Sequence, residues 1–96
     1  MIRSLMQVHI LRLIQAQPMW GYRIKKDVET KFGLKLRHGA LYPLLNKLER
    51  DGFVTSQEQR QGRRTRKVYA ITEKGNEYLE TYRGIIREQL NNEDIR

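Results

Sequence analysis

Apolar residues recur at helical spacing in four segments of this chain, at about 2–16, 21–32, 38–51 and 73–90. Side chains three or four residues apart share one face of a helix, so each segment predicts an amphipathic helix. The clearest stripe, in the third segment, consists of Leu41, Leu44, Leu45 and Leu48. Pro43 is tolerated only near the first helical turn, which places the start of that helix close to Gly39.

Breaks and turns separate these helices. Pro18 ends the first helical segment. Gly33 can adopt the left-handed conformation that commonly follows the end of a helix, so it is a suitable end for the second. Residues 53–59 and 66–72 resemble strands around a turn at 61–64, where Gly62 supplies backbone freedom. Thr72 is a good N-cap for the last helix, and the polar residues 91–96 are expected to fray.

The order of elements is therefore three helices, a two-stranded wing and a long helix. It predicts a mainly α (α+β) fold, a winged helix-turn-helix with a long C-terminal helix. We expect residues 1–72 to form the winged-helix DNA-binding domain, with the wing at about 53–72. Residues 73–96 are expected to form a C-terminal dimerisation helix with a frayed tail.

The first and last helices carry more apolar surface than one small core requires. The first has apolar residues off its main stripe, and the last, at about 18 residues, is ~27 Å long. This surplus predicts a homodimer, although the last helix folding back on its own core is the alternative. The expected interface residues are Leu5, Val8, Leu11, Tyr78, Tyr82, Ile85, Ile86 and Leu90.

Positive charge is unevenly distributed along the chain. The sequence has 19 Lys and Arg against 11 Asp and Glu, for a formal net charge of +8. The excess lies within residues 1–67, whereas residues 68–96 are slightly acidic. A localised excess predicts a polyanionic partner on one side of the fold, and a solvated basic surface is the alternative.

The sequence disfavours several kinds of chemistry. It has no cysteine, which excludes disulfides, thiolate catalysis and Cys-based zinc sites. His9 and His38 lack partners at metal-binding spacing, so we expect no metal. No Gly-rich phosphate loop follows a strand, and no catalytic triad or carboxylate pair stands out. We therefore predict that the chain is not an enzyme and uses no cofactor.

The apolar runs are also too short for a membrane protein. None approaches the ~20 residues that a membrane span needs. The N-terminal segment is interrupted by polar residues and lacks the apolar core of a signal peptide. We therefore expect no membrane association and a cytoplasmic location.

Four stretches resemble the PadR-like family of transcriptional regulators. They are GYRI at 21–24, GALYPLL at 39–45, LERDGFV at 48–54 and GRRTRKVYAITEKG at 62–75. The combined L-Y-P and G-R-R…Y-x-I-T-x-x-G pattern is more specific than a general winged-helix pattern. The resemblance covers roughly residues 1–90. It implies a homodimeric DNA-binding repressor of the short branch, with one helix after the wing.

Two features depart from the family pattern. Relatives often have Ser-Pro before the third helix, whereas this chain has Arg37 and His38, which are expected to reach phosphate instead. Multidrug-sensing relatives use a tryptophan on the last helix to line a pore between subunits, and residues 72–96 contain none. Any small-molecule effector therefore remains unidentified.

Residues of the third helix that lie off its apolar stripe are the candidates for reading the major groove, which an α-helix fits. They are Tyr42, Pro43, Asn46 and Lys47, preceded by the small Gly39 and Ala40, which permit a close approach to the backbone. The alternative is that Tyr42 packs on the second helix and that Asn46 is only solvated.

Phosphate contacts are expected from the wing and from the start of the second helix. The wing residues are Arg60, Arg63, Arg64, Arg66 and Lys67, and the helix residues are Tyr22, Arg23 and Lys26. Like charges crowded on a hairpin repel each other unless an anion such as DNA neutralises them. The alternative for both groups is a solvated surface. Trp20, between the first two helices, is expected to pack in the core or as a staple, and a ligand role at the dimer cleft is the alternative.

We therefore predict a sequence-specific DNA-binding transcriptional regulator, a repressor that binds a pseudo-palindromic operator in double-stranded DNA as a homodimer. Two alternatives remain open. A non-specific nucleic-acid-binding protein would have an affinity determined by salt rather than by sequence. A winged-helix protein-interaction module would keep its partner after neutralisation of the wing arginines.

Overall fold

The computed structural model describes the backbone of residues 2–37 and 39–94 and the side chains of residues 5–37 and 39–90. Its elements are α1 (Ile2–Ala16), β1 (Met19–Trp20), α2 (Gly21–Phe32), α3 (Leu41–Arg50), β2 (Val54–Gln61), β3 (Arg64–Ile71) and α4 (Glu73–Asp94). The four helices and the β2–β3 wing follow each other in the predicted order. The predicted mainly α winged-helix fold is therefore confirmed.

Two helix ends have the local causes that the sequence indicated. After α2, Gly33 adopts φ +66°, a left-handed conformation that ends helices and favours glycine. Before α4, the Oγ1 of Thr72 accepts a hydrogen bond from the N–H of Gly75 at 3.1 Å. Thr72 is thus the N-cap of α4, as predicted.

The start of α3 differs from the prediction. The helix begins at Leu41, because the preceding residues form a turn in which the N–H of Ala40 donates to the carbonyl of Arg37 at 2.9 Å. Gly39 lies inside this turn with φ +82°, a conformation open to glycine at little steric cost. Pro43 consequently occupies the first turn of α3. Backbone N–H groups in the first turn have no acceptor within the helix, so the lack of an N–H at proline costs no helical hydrogen bond.

A third strand was not predicted. β1 pairs with β3 in antiparallel orientation, with Met19 opposite Tyr69 and Trp20 opposite Val68, and the sheet order is β1-β3-β2. Two residues are too few to show any hydrophobic period, so only the tertiary pairing reveals them. β1 fixes the link between α1 and α2 to the base of the wing.

The wing is a regular antiparallel hairpin. Its ladder runs from Val54 opposite Ile71 to Gln61 opposite Arg64, which brings both strands closer to the tip than predicted. The two-residue connection includes Gly62 at φ +61°, as tight hairpins of this length require.

The core is formed by α1, α2, α3, the base of the sheet and the first half of α4. Its most deeply buried side chains are Ile10, Leu11, Ile14, Ile24, Val28, Leu45, Leu48, Val54, Tyr69 and Leu79. α1 contacts α2, α4 and β3, so the same chain covers more than one of its sides. Leu11 is completely buried and Val8 is 5% exposed. The expectation that these two residues face a partner is therefore wrong, because the chain's own elements already cover them.

α4 extends beyond this core. Leu79 is completely buried, whereas Ile85, Ile86 and Leu90 are 52%, 41% and 56% exposed. The helix continues to Asp94, further than predicted, and at 22 residues it is about 33 Å long. The side chains of the predicted frayed tail at 91–96 lie outside the described residues. None of the helices described here is long and apolar enough to cross a membrane.

Candidate nucleic-acid interface

α3 presents an apolar face to the core and a polar face to solvent. Leu41, Leu45 and Leu48 are buried. The four predicted groove-reading residues, Tyr42, Pro43, Asn46 and Lys47, are all exposed. Their spacing places them on one side of the helix. The structure therefore brings these four candidates together on a single outward face.

Tyr42 lies at the junction of α3 and α2. A Cβ at Gly21, the first residue of α2, would lie 3.0 Å from the Tyr42 hydroxyl oxygen and 3.1 Å from its ring. The absence of a side chain at Gly21 is what allows this close approach. Tyr42 is nevertheless 53% exposed. The residue thus packs on the second helix and presents its outer edge to solvent at the same time.

A cleft of about 280 Å³ separates the N-terminal ends of α2 and α3. It is lined by Tyr22, Lys25, Arg37, Gly39, Leu41 and Tyr42. Four of these residues, Tyr22, Arg37, Gly39 and Tyr42, were predicted to contact DNA. Lys25 was not predicted, although its spacing of three residues from Tyr22 places both on one side of α2. Two cations and two phenols at neighbouring helix starts are suited to binding an anion. His38, the other predicted contact in this turn, lies outside the described residues.

The remaining candidates on α2 have different surroundings. Lys26 and Arg23 are both exposed. Arg23, however, approaches Asp27 with its Nε 3.3 Å from Oδ2, and the Nζ of Lys31 lies 3.9 Å from the same oxygen. Asp27 therefore neutralises part of the charge at Arg23. The i,i+4 spacing of Arg23 and Asp27 in the sequence is typical of such an ion pair on a helix.

The wing cations are divided between the two faces of the hairpin. Alternate residues of a strand point to opposite faces, so Arg64 and Arg66 share one face and Lys67 lies on the other. Arg60 pairs with Thr65, which places it on the same face as Lys67, and Arg63 occupies the turn. All are exposed except Arg66, which is half-buried. The crowded charge is thus spread around the wing rather than stacked on one side.

Trp20 and Arg66 meet where the wing joins the helices. The guanidinium carbon of Arg66 lies 3.9 Å from the centroid of the Trp20 ring. The Trp20 ring is also 5.2 Å from that of Tyr22, tilted by 34°. Trp20 is therefore half-buried at the junction of the wing and α2. The expected packing in the core is not observed, whereas packing as a staple stays a prediction. Pairing between β1 and β3 creates this contact, and no sequence pattern signals it.

A groove of about 430 Å³ runs between this junction and the start of α3. It is lined by Trp20, Gly21, Tyr42, Arg64, Thr65, Arg66 and Lys67. One wall is formed by Trp20, Gly21 and Tyr42, at the starts of α2 and α3, and the other by residues 64–67 of β3. An anionic strand in the groove would contact both elements together.

Polar contacts hold α3 and the wing as one unit. The hydroxyl of Ser56 on β2 donates to Oε2 of Glu49 on α3 at 2.6 Å. Tyr69 on β3 is buried, and burial raises the pKa of its hydroxyl, with the Glu49 carboxylate and Tyr42 contributing further. The Tyr69 hydroxyl therefore stays neutral at physiological pH. The hydrogen bond between Ser56 and Glu49 joins α3 to the first strand of the wing.

The predicted dimer residues have mixed surroundings. Leu5, Ile85, Ile86 and Leu90 are exposed. Tyr78 packs against Phe53 of its own chain, with ring centroids 4.9 Å apart. Tyr82 is half-buried in a cleft of about 220 Å³ between α1 and α4. That cleft is lined by Val8, Arg12, Leu79, Tyr82, Arg83 and Ile86.

Helices α2 and α3 with a hairpin wing and a following helix define a winged helix-turn-helix protein. Residues 10–81 match the Transcriptional regulator PadR-like family. Because this match covers most of the chain, the chain belongs to the PadR-like family of transcriptional regulators. The family resemblance seen in the sequence is thereby confirmed.

Individual relatives agree with this assignment. The transcriptional regulator Rv3488 of Mycobacterium tuberculosis is 29% identical over 86 residues, which cover 90% of this chain and 79% of the relative. A PadR-like transcription factor from Bacteroides fragilis shares the fold with a TM-score of 0.88 at 23% identity, covering 98% of this chain and 91% of its own. PadR of Bacillus subtilis, solved in complex with operator DNA, matches with a TM-score of 0.75 at 28% identity. That match covers 81% of this chain and 47% of the Bacillus protein.

Proposed function

We propose that this protein is a sequence-specific DNA-binding repressor that acts as a homodimer on a pseudo-palindromic operator. The observation that carries the proposal is the groove between Tyr42, at the start of α3, and the wing, where Arg64 and Arg66 lie on one face of β3. A polyanion fits this groove. The related Bacillus subtilis protein that was solved with operator DNA supports the same reading.

Sequence would be read by the outward face of α3. An α-helix fits the major groove, where each base pair presents a distinct set of donors and acceptors. The Asn46 amide suits a bidentate contact with adenine, and the Lys47 ammonium suits a guanine edge. Tyr42 would contact a phosphate or a thymine methyl group. Each well-formed bidentate contact discriminates against a wrong base by about 1–3 kcal/mol.

Phosphate contacts would surround this reading helix. Arg60, Arg63 and Arg64 are exposed on the wing and would neutralise the DNA backbone on one side of α3. Lys25 and Arg37, in the cleft between α2 and α3, would do so on the other. Such contacts fix the register of the protein on DNA but carry little sequence information.

The dimer would form through the projecting half of α4. Ile86 and Leu90 continue the stripe by which Leu79 and Tyr82 pack in the first half of the helix, but the described part of their own chain leaves them 41% and 56% exposed. Leu5 on α1 adds to the exposed apolar surface. A second copy of the chain would cover these side chains and also fix the distance between the two reading helices.

Repression would be steric. A dimer that places two α3 helices about one DNA turn apart, ~34 Å, would bind two half-sites of an operator and block polymerase. We place this action in the cytoplasm, as expected for a regulator of this family, and we assign no catalytic role. An effector, if the protein responds to one, would have to favour a dimer with a different spacing between the α3 helices.

The test is selection of DNA from a random-sequence duplex library, followed by fluorescence anisotropy with the selected duplex and a scrambled copy. We expect the selected duplex to be a pseudo-palindrome bound at least ~10³-fold more tightly at ~150 mM salt. Asn46→Ala should relax base preference at one position of each half-site. The matched control is Arg87→Ala, an exposed change on the projecting half of α4.

Two results would refute this proposal. Equal affinity for both duplexes that falls steeply with salt would identify a non-specific nucleic-acid-binding protein. Absence of binding even at ~50 mM salt would favour a protein-interaction module, because electrostatic DNA binding is strongest at low salt.

A further inference from the structure

Arg66 differs from the other wing cations in its surroundings. Arg60, Arg63, Arg64 and Lys67 are exposed, whereas Arg66 is half-buried. Its guanidinium lies 3.9 Å above the Trp20 ring, and no carboxylate among the described side chains is within salt-bridge distance of it. An aromatic face, rather than an acid, holds this cation.

The sheet register explains why these two residues meet. Trp20 is the last residue of β1 and lies opposite Val68 on β3. Arg66 precedes Val68 by two residues, so it shares the face of Val68 and is the diagonal neighbour of Trp20. The contact therefore joins β1, the short strand before α2, to β3 of the wing.

Stacking on an aromatic ring leaves an arginine able to bind phosphate. The ring occupies one planar face of the guanidinium, whereas the N–H donors point outward from its edges. A salt bridge to a carboxylate would use those donors instead. Holding the long side chain in one conformation before binding also reduces the conformational entropy lost on binding.

We propose that Trp20 is a positioning residue for DNA binding, which holds the guanidinium of Arg66 at the groove between α3 and the wing so that its edge can contact a phosphate. This inference rests on the proposed DNA-binding function. Trp20 itself touches Arg66 and Tyr22 and acts on DNA through Arg66. The stack also links the wing to the start of α2, where Tyr22 and Lys25 line the cleft between α2 and α3.

The stack can be measured without DNA, because Trp20 is the single tryptophan of the chain. Arg66→Ala should expose the indole, shift its emission to longer wavelength and increase its quenching by acrylamide. Arg64→Ala is the matched control, since Arg64 is on the same face of β3 but is not stacked, and it should leave both signals unchanged. Unchanged quenching in Arg66→Ala would overturn the proposal.

The effect on DNA is tested with a double-mutant cycle. The probe is a labelled duplex of scrambled sequence at about 50 mM salt, so no operator is needed. In the wild-type background Arg66→Ala should weaken binding roughly tenfold, as expected for loss of a charge-assisted contact. In the Trp20→Leu background the same change should have an effect of less than about twofold. Arg64→Ala should have equal effects in both backgrounds.

The salt dependence separates positioning from a general loss of structure. Trp20→Leu should reduce the slope of log affinity against log salt concentration, by up to the amount expected for the loss of about one phosphate contact. This reduction is expected although the substitution removes no charge. Trp20→Tyr keeps an aromatic face and should restore most of the slope, and circular dichroism would verify that each variant is folded. If wild-type protein binds the duplex and Arg66→Ala has equal effects in both backgrounds, the positioning role is overturned and the proposed function stands. If wild-type protein binds no DNA, both fail.

Discussion

Replacing Gly75 with alanine should destabilise the protein, whereas the same replacement at Gly84 should stabilise it. Both glycines lie in α4, so each change gains a similar helix propensity of about 1 kcal/mol. Their surroundings differ. A Cβ at Gly75 would overlap the carbonyl oxygen of Phe53 and lie 2.7 Å from Cγ1 of Ile71, whereas no described atom lies within 4 Å of a Cβ at Gly84.

The overlap at Gly75 cannot be relieved by a side-chain rotation. The Phe53 carbonyl accepts a hydrogen bond from the N–H of Thr72 at 3.0 Å, so its position is constrained. Either α4 shifts away from the wing base or this hydrogen bond breaks. Overpacking costs about 1–3 kcal/mol and a lost hydrogen bond about 1 kcal/mol. After subtraction of the propensity gain, we expect Gly75→Ala to lower the free energy of unfolding by up to about 2 kcal/mol.

The assay is urea unfolding followed by circular dichroism, at one protein concentration because dimerisation would make the stability depend on concentration. Thermal unfolding provides a second measurement, since 1 kcal/mol corresponds to about 4–8 °C in Tm for a domain of this size. Gly84→Ala should raise the stability by up to ~1 kcal/mol. A Gly75→Ala protein as stable as Gly84→Ala would refute the close approach of α4 to the wing base.

Three further predictions concern the wing, the proposed dimer and one half-buried histidine. Removing Arg63 and Arg64 together should weaken DNA binding. It should also reduce the slope of log affinity against log salt concentration by the amount expected for the loss of about two phosphate contacts. Ile86→Asp should convert a dimer to monomers in sedimentation velocity, because it introduces charge into the exposed apolar stripe of α4. Burial, with a smaller contribution from Arg12, lowers the pKa of His9 from 6.5, so the folded state favours the neutral ring. The contribution of His9 to stability should therefore be constant above about pH 6.5 and fall as the pH drops below that value.

Each of these predictions has a control. Arg87→Ala removes a positive charge from α4 and should change neither the salt slope nor the sedimentation of the protein. His9→Gln cannot titrate and should lose that part of the pH dependence. A salt slope unchanged by the double wing variant, an Ile86→Asp protein with wild-type sedimentation, or equal pH profiles for wild type and His9→Gln would each contradict the corresponding prediction.

The sequence was most informative where local rules decide the structure. The leucine stripe of α3 and the apolar spacing of α2 predicted helices, because a period of 3.6 residues sorts side chains onto one face. Gly33 and Thr72 marked helix ends because a left-handed conformation and a capping hydroxyl are chemically specific. The exposure of Tyr42, Asn46 and Lys47 followed from the same periodicity. These features depend on residues close together in the chain.

The apolar residues of α1 show the limit of that reasoning. Because α1 has more apolar residues than one stripe accounts for, the sequence correctly indicated that this helix is covered on more than one side. The second side, however, was expected to face a partner chain. In the structure α4 and β3 of the same chain pack on α1 and bury Leu11 completely. An amphipathic pattern indicates that a helix face is buried, but it does not indicate which element buries it.

The sequence by itself determined the number of helices, the wing, the family and the set of basic residues available to bind DNA. Only the tertiary structure decided that Met19 and Trp20 form a third strand and that Trp20 stacks on Arg66. It also revealed Lys25 in the cleft beside Arg37. The physical reason is sequence separation. Helical periodicity and caps act over a few residues, whereas strand pairing and cation–π contacts join residues far apart in the chain and exist only once the chain has folded.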